Sequence, residues 1–405
     1  MEIREFYGAE VIKFKKMCIP AIRSGNMNFA DEKKYAETLV EEEQNLDKDF
    51  FRLGYFEGDR LFATLRSEPF WGYFDGNKIR LSGVGGVIAD PNAPQKGMIK
   101  ELFKKGFERM RENGQIVSHL YPFQANYYRQ YGYEISCKHH LWKIPVEYIS
   151  NDFSGKNVYY DESITMQEEI KELHSKFAEQ YNLSIIKTEK QWECFFEEII
   201  PYKGDYFSYV HYTEGKADAF MAYKLIEKEN DPQDLCVDYL WFASYQGLRG
   251  VMSYFVSQRP YADRVWVKAP LNIDFNAFNE FQGGWGKRNT NCEVVSDGTT
   301  RVVDVEKVLQ LACYHGTGTI GIQIENDIYC PWNNDCFTVS FGQETCVMRG
   351  GVPDIILDVN AFGAMILGAV SLEEAQIFQN VSILGNTENL RKVFYKRELY
   401  IDEHF

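Results

Sequence analysis

Val87-Ile88-Ala89-Asp90-Pro91, running on to Gln95-Lys96-Gly97, ends an extended segment and opens a helix. About one helix and one strand later comes Tyr127-Tyr128-Arg129-Gln130-Tyr131-Gly132-Tyr133. From Gly97 onward, apolar residues at 99, 102, 103, 107 and 110 share one helical face and charges take the other, which predicts a helix over 98–110. Asn113-Gly114 supplies its left-handed stop. Residues 116–120 read as a buried strand, and 124–131 as a short aromatic helix closed by Gly132. A strand over 136–144 then returns before Pro145. Upstream, helices are expected over 9–17 and 31–44, and strands over 51–56, 60–70 and 78–89.

Residues 147–290 repeat this plan weakly. Helical patterns at 166–180 and 189–198 precede strands at 206–211, 217–226 and 236–243. A turn at Tyr245-Gln246-Gly247-Leu248-Arg249-Gly250, a helix over 251–259 and a strand over 264–268 complete the series. The order suggests a duplication. No counterpart of the 127–133 helix follows, only Phe275-Asn276-Ala277-Phe278, so this copy reads as structural. After Gly283-Gly284-Trp285-Gly286, strands at 291–295, 319–325 and 337–341 mix with helices at 305–311, 360–367, 372–376 and 387–395. The expectation is an α/β (α+β) chain in three parts, 1–146, 147–290 and 291–405.

A chain of 405 residues exceeds one ordinary core. Its 45% hydrophobic and 25% charged content is that of a soluble globular protein. A net charge of −15 argues against nucleic acid, because a polyphosphate rewards a basic face. Negative potential would steer a cationic substrate inward, although an acidic surface also simply aids solubility. Nine cysteines without a Cys-x-x-Cys pair read as reduced thiols in a cytoplasmic protein. Scattered histidines suggest no metal site. Met1-Glu2-Ile3-Arg4-Glu5 does not open a signal peptide, and the apolar stretch 355–370 is too short to span a bilayer, so no membrane partner is expected.

The residues outline a chemistry. A helix N-terminus binds pyrophosphate through unpaired N–H groups and its positive dipole end. Gly97 lets the backbone approach, Gln95 and Met98 flank the turn, and Lys96 adds charge; the plain alternative is an ordinary strand-to-helix turn. Residues 84–89 could offer N–H groups to an acyl donor, with Val87 and Ala89 the candidate donors to a developing oxyanion. Tyr128 is the candidate general acid, a phenol able to protonate a departing thiolate.

The spacing of Val87, Ala89, Pro91, Gln95, Lys96 and Gly97, followed by the 127–133 motif, resembles the GNAT acetyltransferases. The full layout is similar to the enhanced-intracellular-survival (Eis) branch of aminoglycoside and lysine N-acetyltransferases. Leu357-Asp358-Val359-Asn360-Ala361-Phe362-Gly363-Ala364-Met365-Ile366-Leu367-Gly368 and the tail ending in Phe405 resemble the third domain of that branch. The resemblance implies tandem GNAT-like domains, each a mixed central sheet flanked by helices, followed by a sterol-carrier-protein-like domain. It implies acetyl-CoA as co-substrate and a homo-oligomer, in that branch a hexamer. It also implies a role for the α-carboxylate of Phe405 as general base, where desolvation raises a carboxylate's proton affinity.

The chain departs from the family in two places. Pro94-Gln95-Lys96 stands where several arginines are common, and His404 stands where an acid is expected before the terminal Phe. Glu403 is then a candidate for holding a substrate cation, and Phe29 and Tyr35 are candidates for one wall of the acceptor pocket. The expected activity is acetyl transfer to a primary amine of an aminoglycoside-like molecule, a polyamine or a lysine side chain. The alternative is a non-enzymatic carrier of lipid or apolar ligands.

Overall fold

The structure is a computed structural model that describes residues 2–22, 46–93, 97–150, 155–200, 204–228, 232–278, 290–378 and 380–401. The expected helix over 31–44 and the candidates Phe29, Tyr35, Gln95, Lys96, Glu403 and Phe405 lie outside the described residues. The chain forms two compact units. One joins the chain up to Ser136 with Gly298–Lys396, and the other contains Cys137–Asp297 and resumes at Arg397. The first and third parts expected from sequence therefore share a unit.

In the first unit, β1 (Glu2–Glu5) is followed by a 3-10 turn and α1 (Val11–Ile22). Then come β2 (Phe51–Glu57), β3 (Arg60–Phe74), β4 (Asn77–Ala89), α2 (Met98–Glu112), β5 (Gln115–Leu120) and α3 (Ala125–Arg129). The order across the sheet is β1-β2-β3-β4-β5, antiparallel except for the parallel β4–β5 pair. The apolar face of α2 buries Ile99, Leu102, Phe103, Phe107 and Met110, the positions read from periodicity. They pack against Leu53, Leu65 and Val84 from the sheet and Tyr128, Tyr131 and Tyr133 from the aromatic motif. Burial of such rings contributes roughly 1.5–3 kcal/mol each, so this cluster is the main reason the motif is held in place.

The second unit runs from β6 (Glu134–Pro145) through β7 (Lys156–Tyr159), α4 (Ile164–Ala178), β8 (Ile185–Ile186) and α5 (Glu189–Ile199). It continues with β9 (Phe207–Thr213), β10 (Lys216–Ile226), β11 (Gln233–Phe242), α6 (Tyr245–Val256) and β12 (Ala262–Ala269). Its sheet order, β6-β12-β11-β10-β9-β7, contains antiparallel β9–β10–β11 followed by a parallel β11–β12 pair. That is the plan of β2–β5, so the weak sequence repeat is a structural one. The turn expected at 245–250 is instead the first half of α6, which ends at Val256. Ser244 starts it early, its hydroxyl accepting from the N–H of Gly247 at 3.0 Å, and this cap outweighs the glycines at 247 and 250.

β13 (Asn291–Val302) is longer than expected, and its residues 299–302 pair antiparallel with β5. Beyond it lie α7 (Val305–Leu311), β14 (Gly318–Ile324), β15 (Cys336–Phe341), β16 (Cys346–Arg349), β17 (Ile355–Leu357), α8 (Val359–Ile366), β18 (Val381–Ile383) and α9 (Thr387–Val393). The five strands β14–β18 form a second sheet in the first unit, ordered β16-β15-β14-β17-β18. The helix expected over 372–376 is a 3-10 turn, Glu373–Ile377. No helix among the described residues is long and apolar enough to cross a membrane.

Candidate active site

The site begins where two parallel strands part. β4 pairs with β5 only over residues 80–83, ending at Gly83 opposite His119, although β4 continues to Ala89. Beyond Gly83 one edge of β4 is open toward the β5 side. On the other edge, β4 stays paired with β3, with a bulge that sets Gly85 opposite Arg66 and Ile88 opposite Thr64. The Thr64 hydroxyl donates to the carbonyl of Gly86 at 2.6 Å and holds the bulge. The Asp90 N–H donates to the Phe62 carbonyl at 2.8 Å. Alternation then turns the N–H of Ala89, which faces Ala63, away from β3, and Val87 points the same way. Both candidate donors therefore face the open edge.

α2 starts beside that edge. Gly97 takes φ 99°, a left-handed conformation, and among the described residues no atom lies within 4 Å of where a Cβ would stand. The cap position is Gly97, which has no side chain to bond the first N–H groups. The carbonyl of Gly97 accepts from the Lys100 and Glu101 N–H groups, and the N–H groups of Met98 and Ile99, which precede them in the first turn, have no intrahelical acceptor. Lys100 stands exposed in the first turn.

Tyr128 lies in the same hydrophobic cluster as Val84 of β4 and Met98 of α2. Its ring packs edge-on against Phe103, Phe123, Tyr127 and Tyr133, at centroid distances of 5.2–6.3 Å. Its hydroxyl has no hydrogen-bond partner among the described residues. The other buried tyrosines of the motif differ: Tyr133 bonds Ser118 at 2.7 Å and Tyr131 donates to Tyr127 at 3.4 Å. Burial, and secondarily the neighbouring Tyr127, pushes the Tyr128 phenol up to about 12. It stays protonated at neutral pH, and complete transfer to sulfur costs more than from a free phenol.

Gly132 closes α3 as expected, at φ 87°, with Tyr133 N–H bonding the Tyr128 carbonyl at 3.4 Å and Gly132 N–H the Arg129 carbonyl at 3.0 Å. Three nearby residues carry no sequence signal. His119 sits buried at the last β4–β5 pair, hidden in what reads as an ordinary apolar strand. Arg301 and Asn360, both from the third part, bond the carbonyls of this motif.

The corresponding place in the second unit is shut. β11 also parts from β12, after Val237. The start of α6, however, is capped by Ser244, whose hydroxyl donates to Asp218 Oδ2 at 2.8 Å. The Asp218 carboxylate lies against Gly247, 2.7–2.8 Å from where a Cβ would stand. A carboxylate at that point repels phosphate and fills the space it would need.

Residues 21–136 match the model of the acetyltransferase (GNAT) domain, and residues 305–401 that of the sterol carrier protein domain. No curated protein sequence matches the chain. Among solved structures, a probable N-acyltransferase from Enterococcus faecalis V583 is similar with a TM-score of 0.81 at 17% identity, over 100% of this chain and 99% of that one. A GCN5-related N-acetyltransferase from Anabaena variabilis ATCC 29413 gives 0.81 at 15% identity over 100% of both chains. Eis1 from Mycobacterium abscessus gives 0.80 at 18% identity, again over 100% of both. At these identities the likeness speaks for the fold.

Proposed function

We propose that this chain, an acyltransferase with a GNAT acetyltransferase domain, moves an acetyl group from acetyl-CoA to a primary amine of a polycationic acceptor. The observation that carries the reading is the presence in one unit of three features: the outward N–H groups of Val87 and Ala89, the start of α2 at Gly97, and a Tyr128 hydroxyl without a hydrogen-bond partner among the described residues, its ring in one cluster with Val84 and Met98. In this scheme the α2 start holds the pyrophosphate and the β4 edge holds the pantetheine arm and the thioester oxygen. The acceptor nitrogen attacks the carbonyl carbon, the C–N bond forms and the C–S bond breaks. The nitrogen's proton passes to the Phe405 carboxylate, and Tyr128 donates its proton to the departing sulfur. The net charge of −15 favours a cationic acceptor.

Thiol release from acetyl-CoA is to be followed with a panel of aminoglycosides, polyamines and lysine peptides. Turnover confined to polycationic amines is expected; turnover on none of them, with no acetyl-CoA binding, overturns the proposal. Residues appended after Phe405 should abolish transfer and leave acetyl-CoA binding intact. An extended protein with normal turnover removes the terminal carboxylate from the scheme.

A further inference from the structure

A helix of five residues cannot hold its own shape, because most of its backbone groups lack intrahelical partners. α3, which carries Tyr128, is such a helix, and the side chain of its cap residue Gln124 makes no capping bond. Its far end is held by two donors from distant sequence. Arg301 Nη1 donates to the Tyr131 carbonyl. Asn360 Nδ2 reaches two carbonyls, Arg129 at 3.0 Å and Tyr133 at 2.9 Å, on either side of Gly132. Both donors are themselves fixed. Arg301 is wholly buried, paired with Asp327 at 2.6 and 2.8 Å and stacked 4.2 Å over the Phe107 ring. Asn360 stands at the second position of α8, whose cap Asp358 accepts from the Ala361 N–H at 2.8 Å and from Asn380 at 3.0 Å.

We infer that Asn360, supported by Arg301, is a positioning residue for Tyr128: the sterol-carrier-like part of the chain clasps the helix on which the phenol stands. The inference rests on the reading of Tyr128 as the acid. A bridge across both sides of the Gly132 turn fixes the tilt of α3, the helix that carries the Tyr128 ring into the aromatic cluster. Loss of the bridge lets the phenol drift relative to the departing sulfur, an error to which proton transfer is steeply sensitive. Asn360 is half-buried and adjoins a cavity of about 430 Å³ lined also by Gln130, Gly132 and Asp358, so water can replace its side chain without collapse.

The test is a double-mutant cycle on the full chain. Asn360→Ala should lower kcat on the order of ten- to a hundredfold with acetyl-CoA affinity unchanged. Asn360→Asp, equal in size but without a donor, should behave alike, and Asn360→Gln, which keeps a donor, should recover part of the loss. On a Tyr128→Phe background, Asn360→Ala should cost almost nothing more, because the group it positions is gone. Additive losses, or unchanged turnover in both the Ala and Asp variants, overturn the inference. If Tyr128→Phe alone turns over normally, the reading of Tyr128 as acid fails instead.

Discussion

Gly132→Ala tests how rigidly the clasp is built. Gly132 takes φ 87°, where any side chain is strained by about 1 kcal/mol. Its new Cβ would also collide with Arg301 Nη1 and lie 2.9 Å from Val359 Cγ1. Arg301 has nowhere to retreat, being held by Asp327 and the Phe107 ring in a fully buried position. It must give up the Tyr131 carbonyl, a charged hydrogen bond whose loss costs about 1.5–3 kcal/mol. The sum is about 2.5–4 kcal/mol, well above an ordinary substitution. Gly114→Ala is the matched control: φ is 74°, and nothing lies within 4 Å of its Cβ, so only the strain of about 1 kcal/mol applies. Urea titration of both variants, read as the shift in midpoint at constant slope, compares them directly. Equal losses in the two would show that Arg301 yields freely and would refute the argument.

Three further outcomes are expected. Because burial holds the Tyr128 phenol near 12, wild type and Tyr128→Phe should keep a constant ratio of turnover up to about pH 10; a fall specific to wild type between pH 8 and 10 would show an accessible, ordinary phenol. His211 is buried, with a ring nitrogen 3.1 Å from Asn157 Oδ1, and desolvation lowers its pKa against the weaker opposing pull of Asp218. The unfolded chain therefore takes up this proton first, so the stability it contributes is present above about pH 6.5 and is lost as the pH falls below it. His211→Gln should flatten that acid dependence in urea unfolding between pH 7.5 and 5, and parallel slopes would contradict the assignment. Titration calorimetry should find one acetyl-CoA per chain, since Ser244 and Asp218 block the start of α6; a second site of comparable affinity would mean that start is open.

Local patterns were legible wherever one residue's neighbours in sequence are also its neighbours in space. The apolar face of α2, the glycine stops at 114 and 132 and the strand feeding Gly97 all follow from short-range periodicity and backbone freedom. The same short-range reading failed at α6, where the Ser244 cap competes with two glycines. Pairing between distant segments left no local trace. β13 lies against β5 across a separation of 179 residues, Arg301 is a charged residue that would be assigned to the surface, and Asn360 looks like an ordinary helix-start residue. Burial of Arg301 is favourable only because Asp327 and the Tyr131 carbonyl meet it in the folded chain, and the shut second helix start needs Asp218 brought from another strand. The sequence by itself determined most of the described elements and singled out Tyr128 as the candidate acid. Only tertiary structure decided that Asp218 meets the start of α6 and that Arg301 and Asn360 bond the carbonyls around Gly132, because both depend on charges and donors supplied from far along the chain.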